Sequence, residues 1–490
     1  MKRASPLMAA RLAIAALNFA IPMVLARVLV PAKYGTFNQA WLLANILYLV
    51  LPLGLSPSLV YFTPREPEKR DIWRSHAVLL TTIVGALATV LMLTFGKLVA
   101  DSFHNPDLRR LMPYVAAFTG LKITGATFDG AFMAEGRIKE SALARIATEG
   151  LYSFCVVGGA LYYRSLEGVF LGCVVANFAR ALACWTRAIK SGFVLSWPDM
   201  KRQLHYALPF AAAFALIIPQ QNFHSILVSA TVSAATYAIY KVGCFQLPII
   251  DMLYTPVSEI LQLGIAEHDA KNDNEGALKL FQEAVAKMAF VFVPTMALLF
   301  LVTPEVIRFL FTDKYLGAVP LFRLAICSIP MAALPLDGVM RARAQKRFLF
   351  NVSVGKLLMT VAFVWVGLHR FGLIGALGGW MAAEETCRMI LLHRAAKLFH
   401  RSILGALPRE LWYQVVAALI SVVPGAVMLH FARGPLLAQL FETGIVFGLT
   451  YLAALRAMGI LPPLREWIPG RKPAPPLPVA AAPAAPSVAA

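Results

Sequence analysis

Long apolar runs, separated by short polar connections, fill this chain from near its start to about Met458. A helix needs about 20 apolar residues to cross a ~30 Å hydrocarbon core, and the runs have that length. They are far too long for the alternating strands of a membrane barrel. The pattern predicts helices over 7–29, 38–62, 76–96, 111–134, 141–162 and 168–188. A second set is predicted over 205–229, 237–264, 284–303, 318–340, 349–368 and 372–392, with two more over 411–431 and 436–458. Fourteen spans result. Pro22, Pro52, Pro219, Pro248, Pro256, Pro294, Pro330 and Pro335 fall inside them and predict kinks of the kind that line cavities or act as hinges.

The spans repeat. Phe128-Asp-Gly-Ala-Phe-Met-Ala-Glu-Gly-Arg-Ile-Lys139 is echoed by Leu336-Asp-Gly-Val-Met-Arg-Ala-Arg-Ala-Gln-Lys-Arg347, each running from an apolar helix into a basic loop. Tyr34 in Leu29-Val-Pro-Ala-Lys-Tyr-Gly-Thr-Phe37 matches Tyr237 in Thr231-Val-Ser-Ala-Ala-Thr-Tyr-Ala-Ile-Tyr240. A third pairing sets Gly168 and Gly172 against Gly372 and Gly375. Six spans per copy is an even number, so both copies enter the membrane from the same face as parallel repeats. The expected architecture is an all-α polytopic membrane protein of two six-helix lobes, 1–195 and 200–400. Two additional helices follow in 405–460, then a disordered Pro/Ala tail over 469–490.

Composition settles the solvent. At 490 residues a water-soluble chain divides into about two to four domains. Here 59% of residues are hydrophobic and 14% charged, with mean hydropathy +0.67. Met1-Lys2-Arg3 resembles the start of a signal peptide, but the run behind it has no small-residue cleavage site and reads as a retained first span. The net charge of +19 is placed asymmetrically: alternate connections carry 27 Lys and Arg on one side and 10 on the other. By the positive-inside rule both termini face the cytoplasm, and the charge calls for no nucleic acid.

Several chemistries find no support. There is no Walker-type loop and no Cys-x-x-Cys spacing. The six cysteines lie in apolar segments and read as free buried thiols. The acidic stretch 267–275 lacks metal-loop spacing and reads as a solvated loop before a helix. No nucleophile–His–acid set points to an enzyme. The longest outer loops, near 97–110 and 304–317, are too short for a catalytic domain.

Ionisable residues inside the spans are the informative ones, because a charge at the bilayer centre costs at least ~2.5–3.5 kcal/mol and normally faces a bundle interior or a wet cavity. Lys122 and Arg180 lie mid-span, with Lys241, Arg323, Lys356 and His224 in other spans. Basic groups from both lobes around one cavity suit an anionic head group, since Lys and Arg bind phosphate oxygens by charge-assisted hydrogen bonds. Glu149, Asp251 and Glu384 are candidates either to carry a coupling proton or sodium ion or to neutralise those bases. Glu384 and Arg388 have i,i+4 spacing and can pair. Asp129 and Asp337, near span ends, read as structural.

Leu25-Ala-Arg-Val-Leu-Val-Pro-Ala-Lys-Tyr-Gly-Thr-Phe37 and Leu53-Gly-Leu-Ser-Pro-Ser-Leu59 resemble the opening of bacterial polysaccharide flippases. These are the O-antigen and exopolysaccharide translocases of the multidrug/oligosaccharidyl-lipid/polysaccharide exporter superfamily. Tyr237-Ala-Ile-Tyr240, Thr255-Pro-Val-Ser-Glu-Ile260, Pro294 and Thr312-Asp-Lys-Tyr315 resemble that family's second half. The resemblance covers about residues 7–460. It implies a V-shaped bundle in the bacterial inner membrane that flips an undecaprenyl-pyrophosphate-linked oligosaccharide by alternating access, without a cofactor. Its cationic cavity would use Lys122 and Arg180. Polysaccharide polymerase and chain-length machinery are the implied partners. Tyr237 is followed by Ala238 where the first copy has Gly35, and no family cation site maps onto this chain residue by residue. The rival readings are a cation-coupled drug antiporter of the same architecture, a peptidoglycan-precursor flippase, and a membrane-embedded glycan polymerase or acyltransferase.

Overall fold

The computed structural model describes residues 5–245 and 247–460, and among them every regular element is helical. The first eight α-helices are α1 (Ser5–Val28), α2 (Pro31–Val50), α3 (Leu55–Phe62), α4 (Arg70–Ser102), α5 (Pro106–Thr124), α6 (Phe128–Ala134), α7 (Ile138–Tyr163) and α8 (Leu166–Lys190). Next come α9 (Trp197–Thr231), α10 (Ala234–Gly243), α11 (Pro248–Ala270), α12 (Asn274–Leu301), α13 (Thr303–Phe311), α14 (Val319–Ile326), α15 (Leu336–Ala342) and α16 (Lys346–Leu398). Short α17 (Ile403–Ala406) then precedes α18 (Arg409–Phe431) and α19 (Leu436–Ala457). The protein is an all-α polytopic membrane protein. Large apolar side chains such as Leu87, Val90, Phe178, Leu419 and Leu449 point outward along the long helices, as a lipid solvent requires. The Pro/Ala tail lies outside the described residues.

The fourteen expected spans are not fourteen simple rods. Those predicted over 38–62, 111–134, 237–264 and 318–340 are each broken, into α2–α3, α5–α6, α10–α11 and α14–α15. Proline removes a helical N–H donor. Pro52, Pro330 and Pro335 lie within or at the edge of two of these breaks, Pro248 opens α11 after a third, and the α5–α6 break at 125–127 has no proline. Pro22, Pro219, Pro256 and Pro294 instead remain inside α1, α9, α11 and α12. The broken spans hold the same ordinal positions in the two lobes. The regions expected as the longest outer loops are largely helical too: α4 runs to Ser102, α5 starts at Pro106, and α13 fills 303–311.

By length and hydropathy alone, eight helical segments among the described residues qualify as membrane spans, or nine when α9, bent by 48° between Ala212 and Ile217, is taken as one. One of the eight, α16, holds two expected spans. The expected spans that do not qualify are the first, whose apolar part is described over Phe19–Val28, and the three around 111–134, 141–162 and 237–264. Those three carry the polar groups of the cavity described below, which lower their hydropathy.

The repeat is visible in the packing. Tyr34 and Tyr237 are each the fourth residue of their helix, α2 and α10. Gly130 and Gly338 are each the third residue of α6 and α15. Gly130 abuts Ser56 on α3, and Gly338 abuts Ser258 on α11, so closely that a Cβ at either would meet the serine within 3.0 Å. The glycine pairing around 168–172 needs correction. Gly168 touches Gly159, and Gly172 touches the Cys155 carbonyl, where α7 crosses α8. In the second lobe the same roles fall to Gly375 against Gly367 and Gly379 against Phe363, so Gly375 and Gly379 are the true counterparts. Gly372, with φ 61° and ψ −140°, is instead the turn where α16 doubles back into a hairpin. Its positive φ is one that L side chains rarely adopt.

Two ends can be told apart by charge. At the end bearing the Lys- and Arg-rich connections, α3 packs on α6 and α11 on α15, each within its own lobe. At the opposite end the lobes meet, α2 lying against α10. There the Gly35 Cα is so close to Ala234 that an added Cβ would sit 1.7 Å from the Ala234 carbonyl oxygen. Tyr34 meets Tyr315 edge-on at 5.8 Å, and one apolar cluster runs through both lobes. The start of α9 packs on the first lobe, with Tyr206 stacked on Tyr61 at 4.2 Å and Lys69 bonded to Asp199 at 3.1 Å. Its later half packs on α16 and α2. Helices α18 and α19 pair with each other and lean on α12.

The thiols are less uniform than their apolar surroundings suggest. All six are free, with Cys173, Cys184 and Cys387 buried, Cys155 and Cys244 half-buried and Cys327 exposed.

Candidate functional site

A cavity of about 1030 Å³ lies between the lobes, with α2, α5, α7 and α8 on one wall and α9, α10, α11, α14 and α16 on the other. The α2–α10 contact closes it at one end, and it reaches toward the basic end, where Arg145 is exposed. Six basic and four acidic side chains line it. How these ten pair decides what the cavity can bind.

Arg180 is brought to the cavity on α8 but is already engaged. Its Nη2 donates to Asp129 Oδ1 at 2.7 Å and its Nε to the Gly125 carbonyl at 3.1 Å, while Nη1 lies 3.6 Å from Glu149 Oε1. Asp129 can reach it because α6 begins just after the break at Gly125–Thr127. Lys356 and Glu384, on the two arms of the α16 hairpin, are ion-paired, and Arg388 Nε donates to the same carboxylate at 3.3 Å. Two of the three expected acids therefore neutralise bases. Asp337 does likewise away from the cavity, accepting from Tyr254, Ser258 and Arg341.

Three bases in the lining have no carboxylate in ion-pairing range among the described residues: Lys122, Arg145 and Lys241. Lys122 stands between two rings instead, its Nζ 4.2 Å from the centre of Trp41 and 4.4 Å from that of Tyr48. Aromatic faces hold a cation by their quadrupole while leaving its N–H donors free. Lys122 belongs to the first lobe and Lys241 to the second, so the cavity offers an anion a base from each lobe. His224 is also in the lining, but its Nδ1 is 2.7 Å from the Tyr240 hydroxyl and its ring lies 5.0 Å from that of Trp380. Arg323 is not brought to the cavity. It donates to the Phe300 carbonyl at 3.2 Å and lies over that ring, on the outer side of α14.

On the acidic side, Asp251 lines the cavity without an ion pair among the described residues. Glu385 was not singled out from the sequence. It lines the cavity on α16, and both of its carboxylate oxygens are buried with no hydrogen-bond partner among the described residues. Arg145, near the basic connection that precedes α7, is a second lining residue the sequence reading does not single out. Its spacing of four from Glu149 was the available signal that both share one face of α7. No group of His, Cys, Asp and Glu among the described residues has the makings of a metal site.

Comparison with known proteins follows from this geometry. The family model described as "Polysaccharide biosynthesis protein" matches residues 24–320. No curated relative matches the chain. Among solved structures, the lipid II flippase MurJ in an inward closed conformation aligns with a TM-score of 0.68 at 13% identity, over 91% of this chain and 98% of that one. An inward-facing multidrug resistance MATE transporter of the MOP superfamily aligns at 0.63 and 15%, over 80% and 98%. A MOP superfamily transporter from Pyrococcus furiosus, reported with a binding pocket of reverse polarity, aligns at 0.53 and 14%, over 81% and 95%. These likenesses establish the fold, and the match over residues 24–320 establishes the family: the chain belongs to the polysaccharide biosynthesis protein family.

Proposed function

We propose that the chain is a flippase that carries a lipid-linked oligosaccharide, borne on undecaprenyl pyrophosphate, from the cytoplasmic to the periplasmic leaflet of the bacterial inner membrane. The observation that carries this reading is the set of bases without carboxylate partners, Lys122, Arg145 and Lys241, in a cavity shared by two lobes. A pyrophosphate seated there gains charge-assisted hydrogen bonds at Lys122 and Lys241, both half-buried, with exposed Arg145 at the basic end. The cation-coupled drug antiporter calls for the opposite sign. In the proposed orientation the basic end is cytoplasmic, both termini lie on that side, and the cavity is loaded from it. Closing the basic end and parting α2 from α10 would release the substrate on the other face.

Deleting the gene in its host and extracting lipid-linked glycans tests this. Undecaprenyl-pyrophosphate oligosaccharide is expected to accumulate facing the cytoplasm, and the wild-type gene to reverse it. Unchanged lipid-linked glycans together with lost efflux of cationic dyes would overturn the reading in favour of the antiporter.

Lys122→Met and Lys241→Met keep the bulk of the side chains and break no ion pair. Each is expected to lower transport by roughly 10–100-fold, the loss of one hydrogen bond to a charged group at about 1.5–3 kcal/mol. Melting temperature in detergent should be unchanged. Full transport by the double variant would remove both residues from the site.

Coupling to a proton or a sodium ion falls in this reading to Glu385, with Asp251 the one other lining acid that no ion pair holds among the described residues. A buried carboxylate without hydrogen bonds requires a proton or a cation, whereas Glu149 and Glu384 are held by arginine and lysine. Glu385→Gln is expected to make flipping in everted vesicles insensitive to collapse of the ion gradient. A variant that keeps the wild-type gradient dependence would exclude this role.

A further inference from the structure

A second cavity, of about 430 Å³, opens at the basic end of the first lobe, away from the central one. It lies where α4 begins, α6 passes into α7, and α8 ends. Helix ends of long spans sit at head-group level. Arg70, Arg74, Arg137, Arg187 and Lys190 line it, against Asp71 and Glu135.

The internal pairs leave a surplus of positive charge. Glu135 is shared by three bases: Arg74 at 2.7 Å, Arg187 at 2.6 Å and Arg137 at 3.6 Å. Arg187 also lies over Phe132, its guanidinium carbon 3.3 Å from the ring centre. Arg74 is nine-tenths buried, and its Nε, without a hydrogen-bond partner among the described residues, is a desolvated donor inside the cluster. Arg70 reaches only Asp71, at 3.7 Å, and Lys190 has no ion pair among the described residues. Arg74 also pairs with Asp71 and Arg137 with Glu140, so four arginines share three carboxylates, with exposed Arg70 and Lys190 at the rim.

The approach to the cavity is apolar. On α8 the exposed residues Leu171, Val175, Phe178 and Leu182 form one stripe at helical spacing. Four residues further along that stripe is Thr186, a lining residue of the cavity. Exposed Met133 and Ile189 flank it. A hydrocarbon chain lying along α8 therefore brings its head to the arginines.

We infer that this cavity is a site for the phosphate head group of an anionic membrane lipid, seated by Arg74, Arg187, Arg70 and Lys190 with its acyl chain along the outer stripe of α8. It shares no residue with the central cavity, and does not depend on what that cavity transports. A soluble phosphate would use the arginines but not the stripe, so the acyl chain separates the two sources.

Native mass spectrometry of the full chain, released from detergent with added dioleoyl phosphatidylglycerol, tests the site. One retained phosphatidylglycerol per chain is expected, in preference to dioleoyl phosphatidylcholine, and glycerol phosphate at equal concentration should not displace it. Arg70→Glu with Lys190→Glu disturbs no buried bond and is expected to cut retention at least about tenfold, each base near a lipid surface acting on an anionic head. The same reversal at Lys346 and Arg347, exposed bases of the second lobe, should leave retention unchanged. Equal loss in both double variants, or no preference over phosphatidylcholine, would overturn the site. Displacement by glycerol phosphate would overturn the lipid as its occupant.

Discussion

Gly35→Val is expected to yield a folded chain that does not transport. The end of the cavity away from the basic connections is sealed where α2 lies on α10, and a Cβ at Gly35 would sit 1.7 Å from the Ala234 carbonyl oxygen. The obstacle is backbone, so no side chain at position 234 can make room. Overpacking a tight contact costs about 1–3 kcal/mol. At the upper figure, a penalty confined to the closed state shifts the two-state balance by roughly 150-fold toward states in which α2 and α10 part. Spin labels on the two lobes at that end should report a longer mean distance than in wild type, with melting temperature nearly unchanged. Gly35→Ala should show the same effect in weaker form. Wild-type flipping by Gly35→Ala would mean that the two helices never need to approach this closely.

The second large effect is expected at Arg180, and on stability before transport. Arg180 is the only base within ion-pairing distance of Asp129 and Glu149 among the described residues, and its side chain is 11% exposed. Removing one partner from a buried ion pair costs about 3–5 kcal/mol, because the other charge is stranded. Arg180→Met should therefore lower the detergent melting temperature sharply and reduce the amount of protein in the membrane. Adding Asp129→Asn should restore part of the loss, whereas Lys122→Met should show none. Were Arg180→Met as stable as wild type but inactive, Arg180 would be a substrate group rather than a holder of the fold.

The contrast between Lys122 and Arg180 shows where the sequence stops being readable. Both are basic residues in the middle of apolar runs, and the cost of burying charge marks both as cavity candidates. What separates them is tertiary. Asp129, 51 residues from Arg180 in the chain, folds against it through a break in its own span, whereas Lys122 meets two rings of α2. Arg323 misled for a related reason: a long side chain on an apolar helix can turn outward and find a backbone carbonyl, and hydropathy does not say which way it faces.

The spans themselves were legible because lipid permits few backbone solutions, so long apolar runs had to be helices. Their interruptions were legible only in part. Of the eight span prolines, Pro52, Pro248, Pro330 and Pro335 coincide with breaks and Pro219 follows the bend of α9, whereas Pro22, Pro256 and Pro294 sit within helices, since neighbouring groups can satisfy a freed carbonyl. The Asp-Gly and Tyr echoes were in correct register because each stands at a fixed place in its helix. The glycine echo slipped because Gly372 looks like a packing glycine in sequence but makes the turn of the hairpin, leaving Gly375 and Gly379 to the crossing.

The unequal count of charges lining the central cavity, six basic to four acidic, has an electrical corollary. On the proposed orientation, a pyrophosphate lipid neutralises the surplus, so the loaded protein reorients with little charge crossing the bilayer. The empty protein carries the surplus back toward the cytoplasm, down an inside-negative voltage. Each charge crossing the full field gains ~2.3 kcal/mol per 100 mV. Membrane voltage would then act on the return stroke, resetting the carrier rather than pushing its cargo.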